Sequence, residues 1–143
     1  YQNKKIDSGF TYYYRNDQTK PDTNIELAKL DTSCRLYGQW SQPVDGVRAM
    51  ANTAGILFKG SGKKQKLILT AQAYQTQKQL KLYINNNFLK EISLDPIMQE
   101  ITITTNTQPG LNILVFEIQD DHASNNPKQL IPTTLVKNVN IQS

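Results

Sequence analysis

The sequence predicts an all-β chain: two packed antiparallel sheets of jelly-roll type with eight or nine strands. Two observations lead there. Helical periodicity is almost absent, whereas apolar–polar alternation of period two recurs along the chain. Gly, Pro, Asn and Asp clusters punctuate the alternating segments at short intervals, so neighbouring strands are expected to pair antiparallel. An immunoglobulin-like sandwich is the structural alternative. The 143 residues suit one domain spanning 1–143, with 1–24 as a partly polar leading segment and loop.

Each element follows from its residues. Phe10–Arg15 is aromatic-rich and favours strand, with Tyr12 and Tyr14 on one face and Tyr13 on the other. Asn16–Asp22 reads as an exposed loop. Ile25–Leu30 is apolar enough for a strand but has no clear register. Leu36–Arg48 reads as a loop, because Gly38, Pro43 and Gly46 interrupt it around the chain's one tryptophan, Trp40. Thr53–Lys59 is a strand that stops at Gly60-Ser-Gly62. Lys66–Tyr74 alternates cleanly, with Leu67, Leu69, Ala71 and Ala73 on one face. Leu80, Leu82 and Ile84 make the next apolar face. Asn85-Asn-Asn87 signals a hairpin, since Asn tolerates left-handed backbone. Phe88–Leu94 returns and Asp95-Pro96 ends it. Gln99–Thr105 is β-branched, Gln108-Pro-Gly110 is a turn, and Leu111–Ile118 is apolar enough to lie centrally in its sheet. Asp120–Pro132 is a long polar loop before the last strand, Thr134–Ile141.

Composition narrows the function classes. The net charge is +4, from 16 Lys and Arg against 12 Asp and Glu. The basic residues are dispersed apart from Lys63, Lys64 and Lys66, a cluster that reads as a solvated turn, so no nucleic-acid partner is expected. No apolar run is long enough to cross a membrane as a helix. The single cysteine, Cys34, excludes an intrachain disulfide and reads as a small core hydrophobe. No catalytic constellation is visible: Ser41, Ser61 and Ser124 lack a nucleophile elbow, the only histidine is His122, and Glu91, Glu100 and Glu117 lie on strands. A non-enzyme without a cofactor is expected. The one weak metal candidate is the loop around Asp120 and Asp121, whose carboxylates offer calcium its preferred oxygen ligands. His122 alone makes no zinc site.

Trp40 admits two readings. Its ring can serve as a stacking platform for a sugar, with Tyr37, Gln42, Asp45 and Arg48 orienting the hydroxyls. Alternatively, Trp40 and Tyr37 cover an open end of the sandwich, and Asp45 pairs with Arg48 to staple the loop.

Several segments in order resemble a known family. Leu82-Tyr-Ile-Asn-Asn-Asn-Phe-Leu-Lys-Glu-Ile92 resembles the hairpin of galactose-binding-like β-sandwich modules, with Asn86 where Gly is usual. Gln108-Pro-Gly-Leu-Asn-Ile-Leu-Val-Phe-Glu-Ile118 resembles their proline/glycine turn and following strand. Gly38-Gln-Trp-Ser-Gln-Pro-Val-Asp-Gly-Val-Arg48 is similar to an element of accessory domains attached to bacterial membrane glycosyltransferases and envelope-polysaccharide proteins. Here Gln39 is inserted before Trp40, Val44 or Asp45 stands at the acidic position, and Arg48 stands near a second Trp that is absent. Asn126-Pro-Lys-Gln-Leu130 before the last strand completes the order. The resemblance implies a galactose-binding-like jelly roll: a non-catalytic, extracytoplasmic carbohydrate-binding accessory module that positions a glycan. Its partner is then a glycan or the catalytic domain of its parent protein. A structural or protein-interaction domain with no sugar ligand is the alternative.

Overall fold

A computed structural model describes residues 20–119 and 131–143. The strand expected at Phe10–Arg15, the tyrosine run within it, the Asp120, Asp121 and His122 loop and Asn126–Leu130 lie outside the described residues.

Nine strands form among the described residues: β1 (Asn24–Glu26), β2 (Leu36–Trp40), β3 (Arg48–Ser61), β4 (Lys64–Ala73), β5 (Lys78–Ile84), β6 (Asn87–Leu94), β7 (Gln99–Asn106), β8 (Pro109–Ile118) and β9 (Thr134–Gln142). All pair antiparallel. One leaf runs β2-β3-β8-β5-β6 and the other β1-β9-β4-β7. The leaves are not separate sheets, because β3 is long enough to serve both. Its residues 53–61 pair with β8, and its residues 48–50 pair with β9.

The core follows from strand alternation. Leu67, Leu69, Ala71 and Ala73 of β4 face inward as their pattern predicts, opposite Ala54, Ile56 and Phe58 of β3, Leu80, Leu82 and Ile84 of β5, and Leu114, Phe116 and Ile118 of β8. β8 is central in its leaf, between β3 and β5. In β9 the buried positions change parity, from Thr134 and Val136 to Val139 and Ile141. A bulge explains this. Thr70 pairs with Asn138 and Ala71 with Val136, so Lys137 is the extra residue and both halves of β9 stay in the core.

Three expectations are corrected. The loop expected over Leu36–Arg48 begins as a strand, β2, on the edge of its leaf. The strand expected over Ile25–Leu30 ends at Glu26, and the chain enters a 3₁₀ helix at Leu30–Arg35. Thr32 holds that turn in place: its hydroxyl donates to the Glu26 carbonyl at 2.7 Å. Cys34 lies in this helix, half-buried, with its Sγ on the Asp31 carbonyl, and so is not a core residue.

Candidate functional site

The residues that the sequence gathers around Trp40 do not converge in space. Trp40 ends β2, opposite Met50. Its ring packs on the core and meets Phe116 edge-on, with centroids 6.1 Å apart and planes at 87°. Its indole N–H donates to the Gly55 carbonyl at 3.1 Å. Both the apolar body and the polar tip are thus used internally. Arg48 is 3% exposed. Its Nε donates to the Leu27 carbonyl at 2.6 Å, Nη1 to Ser41 at 3.1 Å and Nη2 to Lys29 at 3.2 Å. The guanidinium ties three segments of backbone together, and burial pushes its pKa below the usual value. Asp45 is not its partner. Asp45 (φ 52°) and Gly46 (φ 83°) form the two-residue tip of a tight turn in which Val44 and Val47 exchange backbone hydrogen bonds. Positive φ at both positions is the type I′ hairpin geometry that Asp-Gly favours. Gln42 is exposed on the approach to this turn. The geometry does not assemble Trp40, Gln42, Asp45 and Arg48 into one platform: Trp40 packs against the core and Arg48 is buried.

Gln39, the inserted residue, has a structural use that the sequence did not show. Between the pairs Gly38–Ala54 and Trp40–Met50, β3 carries two more residues than β2. The surplus frees backbone donors there. The Gln39 side-chain oxygen accepts from the N–H groups of Asn52 (3.0 Å) and Thr53 (3.3 Å). Gly38, at φ 90°, lies so close to β3 that a Cβ would come within 2.8 Å of the Thr53 carbonyl oxygen.

Tyr37 goes the other way. It lies on the outer face of its leaf, 52% exposed, with its ring over Gly55, where a Cβ would come within 2.6 Å of Cδ2. Register carries this position across the leaf: Tyr37 pairs with Gly55, Gly55 with Val115, Val115 with Tyr83 and Tyr83 with Phe88. The outer face thus holds an aromatic side chain near each end of one row. At strand spacing, Tyr37 and Tyr83 stand about 14 Å apart. Tyr83 and Phe88 meet edge-on at 5.6 Å, and Phe88 is 56% exposed.

The next row is polar. Thr53 pairs with Glu117, Glu117 with Lys81 and Lys81 with Glu91; beyond it Gln79 pairs with Ser93. Gln79, Lys81, Glu91, Glu117 and Gln119 line a shallow cavity of 310 Å³. The Tyr83 hydroxyl donates to Glu117 Oε1 at 3.2 Å and so orients that carboxylate. Desolvation, then the hydrogen bond and charge of Glu117 and the charge of Glu91, raise the Tyr83 pKa above 10.0. The face therefore presents flat rings beside acceptors (Glu91, and Glu117 held by Tyr83) and donors (Lys81, Gln79, Gln119). Among the described residues, no group of His, Cys, Asp and Glu suits a metal ion. Sequence reasoning named Tyr37 but missed Gln79, Lys81, Tyr83, Phe88 and Glu117 as a unit. The alternation in β5 and β8 marked Gln79, Lys81, Tyr83 and Glu117 as outward-facing; only strand order made them neighbours of one another and of Phe88 in β6.

Solved structures share this fold. The CBM36-1 domain of a multidomain xylanase from the hindgut metagenome of Trinervitermes trinervoides is similar with a TM-score of 0.58 and 11% identity, over 85% of this chain and 96% of that one. CBM35 from Cellvibrio japonicus Abf62 gives 0.57 and 14%, over 85% and 94%. Podospora anserina GH26-CBM35 β-(1,4)-mannanase gives 0.51 and 9%, over 88% of this chain but only 26% of that one. The fold is therefore a jelly-roll β-sandwich of the kind seen in carbohydrate-binding modules, as the galactose-binding-like resemblance implies. No protein-family model and no curated protein matches the chain.

Proposed function

We propose that this chain is a carbohydrate-binding accessory module without catalytic activity, and that its glycan lies on the outer face of the β2-β3-β8-β5-β6 leaf. The observation that carries the reading is the outward row of Tyr37, Tyr83 and Phe88 beside the shelf of Gln79, Lys81, Glu91, Glu117 and Gln119. Aromatic faces pack against the C–H faces of sugar rings, and paired donors and acceptors take the hydroxyls. Gly55 and Val115 keep the floor between the rings low. The face is open, so binding relies on few desolvated groups and is weak. The carbohydrate-binding modules that share the fold support the class of ligand. The resemblance in the Trp40 segment supports an extracytoplasmic setting, attached to an envelope glycan-handling protein. No helix among the described residues is long and apolar enough to cross a membrane.

The test is a glycan array probed with the folded chain and with Tyr37→Ala and Glu117→Gln, each checked by circular dichroism. Wild type should bind a subset of neutral glycans, and both variants should lose at least about tenfold in affinity, or roughly 1.4 kcal/mol. Folded wild type that binds no glycan would favour a structural or protein-interaction domain instead.

A further inference from the structure

The glycan face leaves unused the end of the sandwich where β3 turns into β4. There Pro21, Gly60, Ser61, Lys63, Lys64, Pro109, Gly110 and Ser143 surround a groove of 610 Å³. We infer that this groove is a second, separate site, which takes the carboxylate or sulfate groups of an acidic polysaccharide. Three features carry the inference. The first is charge: two lysines line the groove and, among the described residues, no Asp or Glu side chain does, while Lys20 and Lys66 are exposed close by in sequence.

The second is that the lysine turn is held in a fixed shape. The Thr107 hydroxyl donates to Gln65 Oε1 at 2.7 Å, and that oxygen also accepts from Ser61 N–H at 2.9 Å. Thr107 N–H donates to the Lys63 carbonyl at 3.0 Å, and Gly62 N–H reaches the Thr107 hydroxyl at 3.3 Å. Gln65 and Thr107 are both buried, so this clamp is part of the core. The ammonium groups therefore extend from a preorganised turn, which lowers the ordering cost of binding an anion.

The third is the floor. Apart from the lysines it consists of Gly60, Gly110, Pro21, Pro109, Ser61 and Ser143, with no aromatic side chain among the described residues. Among the described residues a nucleobase finds no ring to stack on there, so single-stranded nucleic acid would gain only its charge term from them. An acidic sugar chain needs two point charges and a smooth, partly apolar floor, and both are present.

The experiment is affinity electrophoresis and titration calorimetry of the intact chain against polygalacturonate (carboxylate), heparin (sulfate) and a single-stranded DNA of mixed sequence, at low and high salt. Lys63→Gln/Lys64→Gln should weaken binding to one or both acidic polysaccharides roughly tenfold, as two exposed charge pairs allow. The log–log salt slope should fall by about one to two. Tyr37→Ala should leave this binding unchanged, which separates the groove from the sheet face. Three results would overturn the inference: no binding of either polysaccharide by folded wild type, binding indifferent to the double substitution, or DNA bound as tightly as the polysaccharides. Lys81→Gln, on the sheet face, controls for a general loss of charge.

Discussion

Trp40→Ala separates construction from recognition. Truncating a buried Trp costs about 3–5 kcal/mol. Trp40 is only partly buried, so the low end applies. Within it, the N–H bond to the Gly55 carbonyl contributes about 1 kcal/mol. The edge contact with Phe116 contributes about 0.5–1.5 kcal/mol. The remainder is apolar area lost from the core. The expected loss is about 3 kcal/mol, which for a chain of this length lowers Tm by roughly 9–15 °C. Trp40→Phe keeps an edge-on ring and loses the donor, so it should cost about 1–2 kcal/mol. The assay is a urea titration and a thermal melt of both variants, beside the glycan array at a temperature where all remain folded. A Trp40→Ala protein with unchanged stability that had lost all glycan binding would refute the reasoning, and the ring would be a platform after all.

Three more predictions follow from the geometry. Gly38→Ala puts a Cβ against the Thr53 carbonyl at φ 90° and should cost about 2–3 kcal/mol, whereas Gly46→Ala meets nothing within 4 Å and should cost about 1 kcal/mol; urea midpoints measure both. Arg48→Met leaves three backbone carbonyls without their donor and should cost about 3–4 kcal/mol by the same titration. Because Arg48 stays protonated at ordinary pH even with its lowered pKa, wild-type stability should show no slope from it between about pH 5 and 9. Tyr83 is an acid whose pKa is raised on folding, so its contribution is complete below about pH 10 and is lost as pH rises through the folded value. Glu117→Gln should bring that ionisation back down, read as a 295 nm difference titration against Tyr83→Phe.

Much of the sandwich is legible in the chain because burial on one face writes itself as alternation. Leu67, Leu69, Ala71 and Ala73 announce both β4 and its inner side, and the apolar run of β8 announces a central strand. β2 is not legible, because Gly38 at positive φ and the register shift beside it destroy the period. The Asp45-Gly46 pair is legible as a type I′ turn, but Gly38 and Pro43 before it give the segment the composition of a loop. The 3₁₀ helix after β1 depends on Thr32 reaching the Glu26 carbonyl, a contact with no periodic trace.

The candidate site divides the same way. Sequence alone determined the all-β class, most strand faces, the absence of an intrachain disulfide and the presence of a Tyr–Trp pair three residues apart. It could not decide which of the two rings points out. Their odd spacing along β2 sets them on opposite faces, and the pairing with β3 and β8 decides which: Trp40 meets Phe116 in the core and Tyr37 lies over Gly55 on the open face. Only the strand order then brought Tyr83, Phe88, Lys81 and Glu117 beside it, because neighbours across a sheet are chosen by long-range pairing and carry no signature in the residues between them.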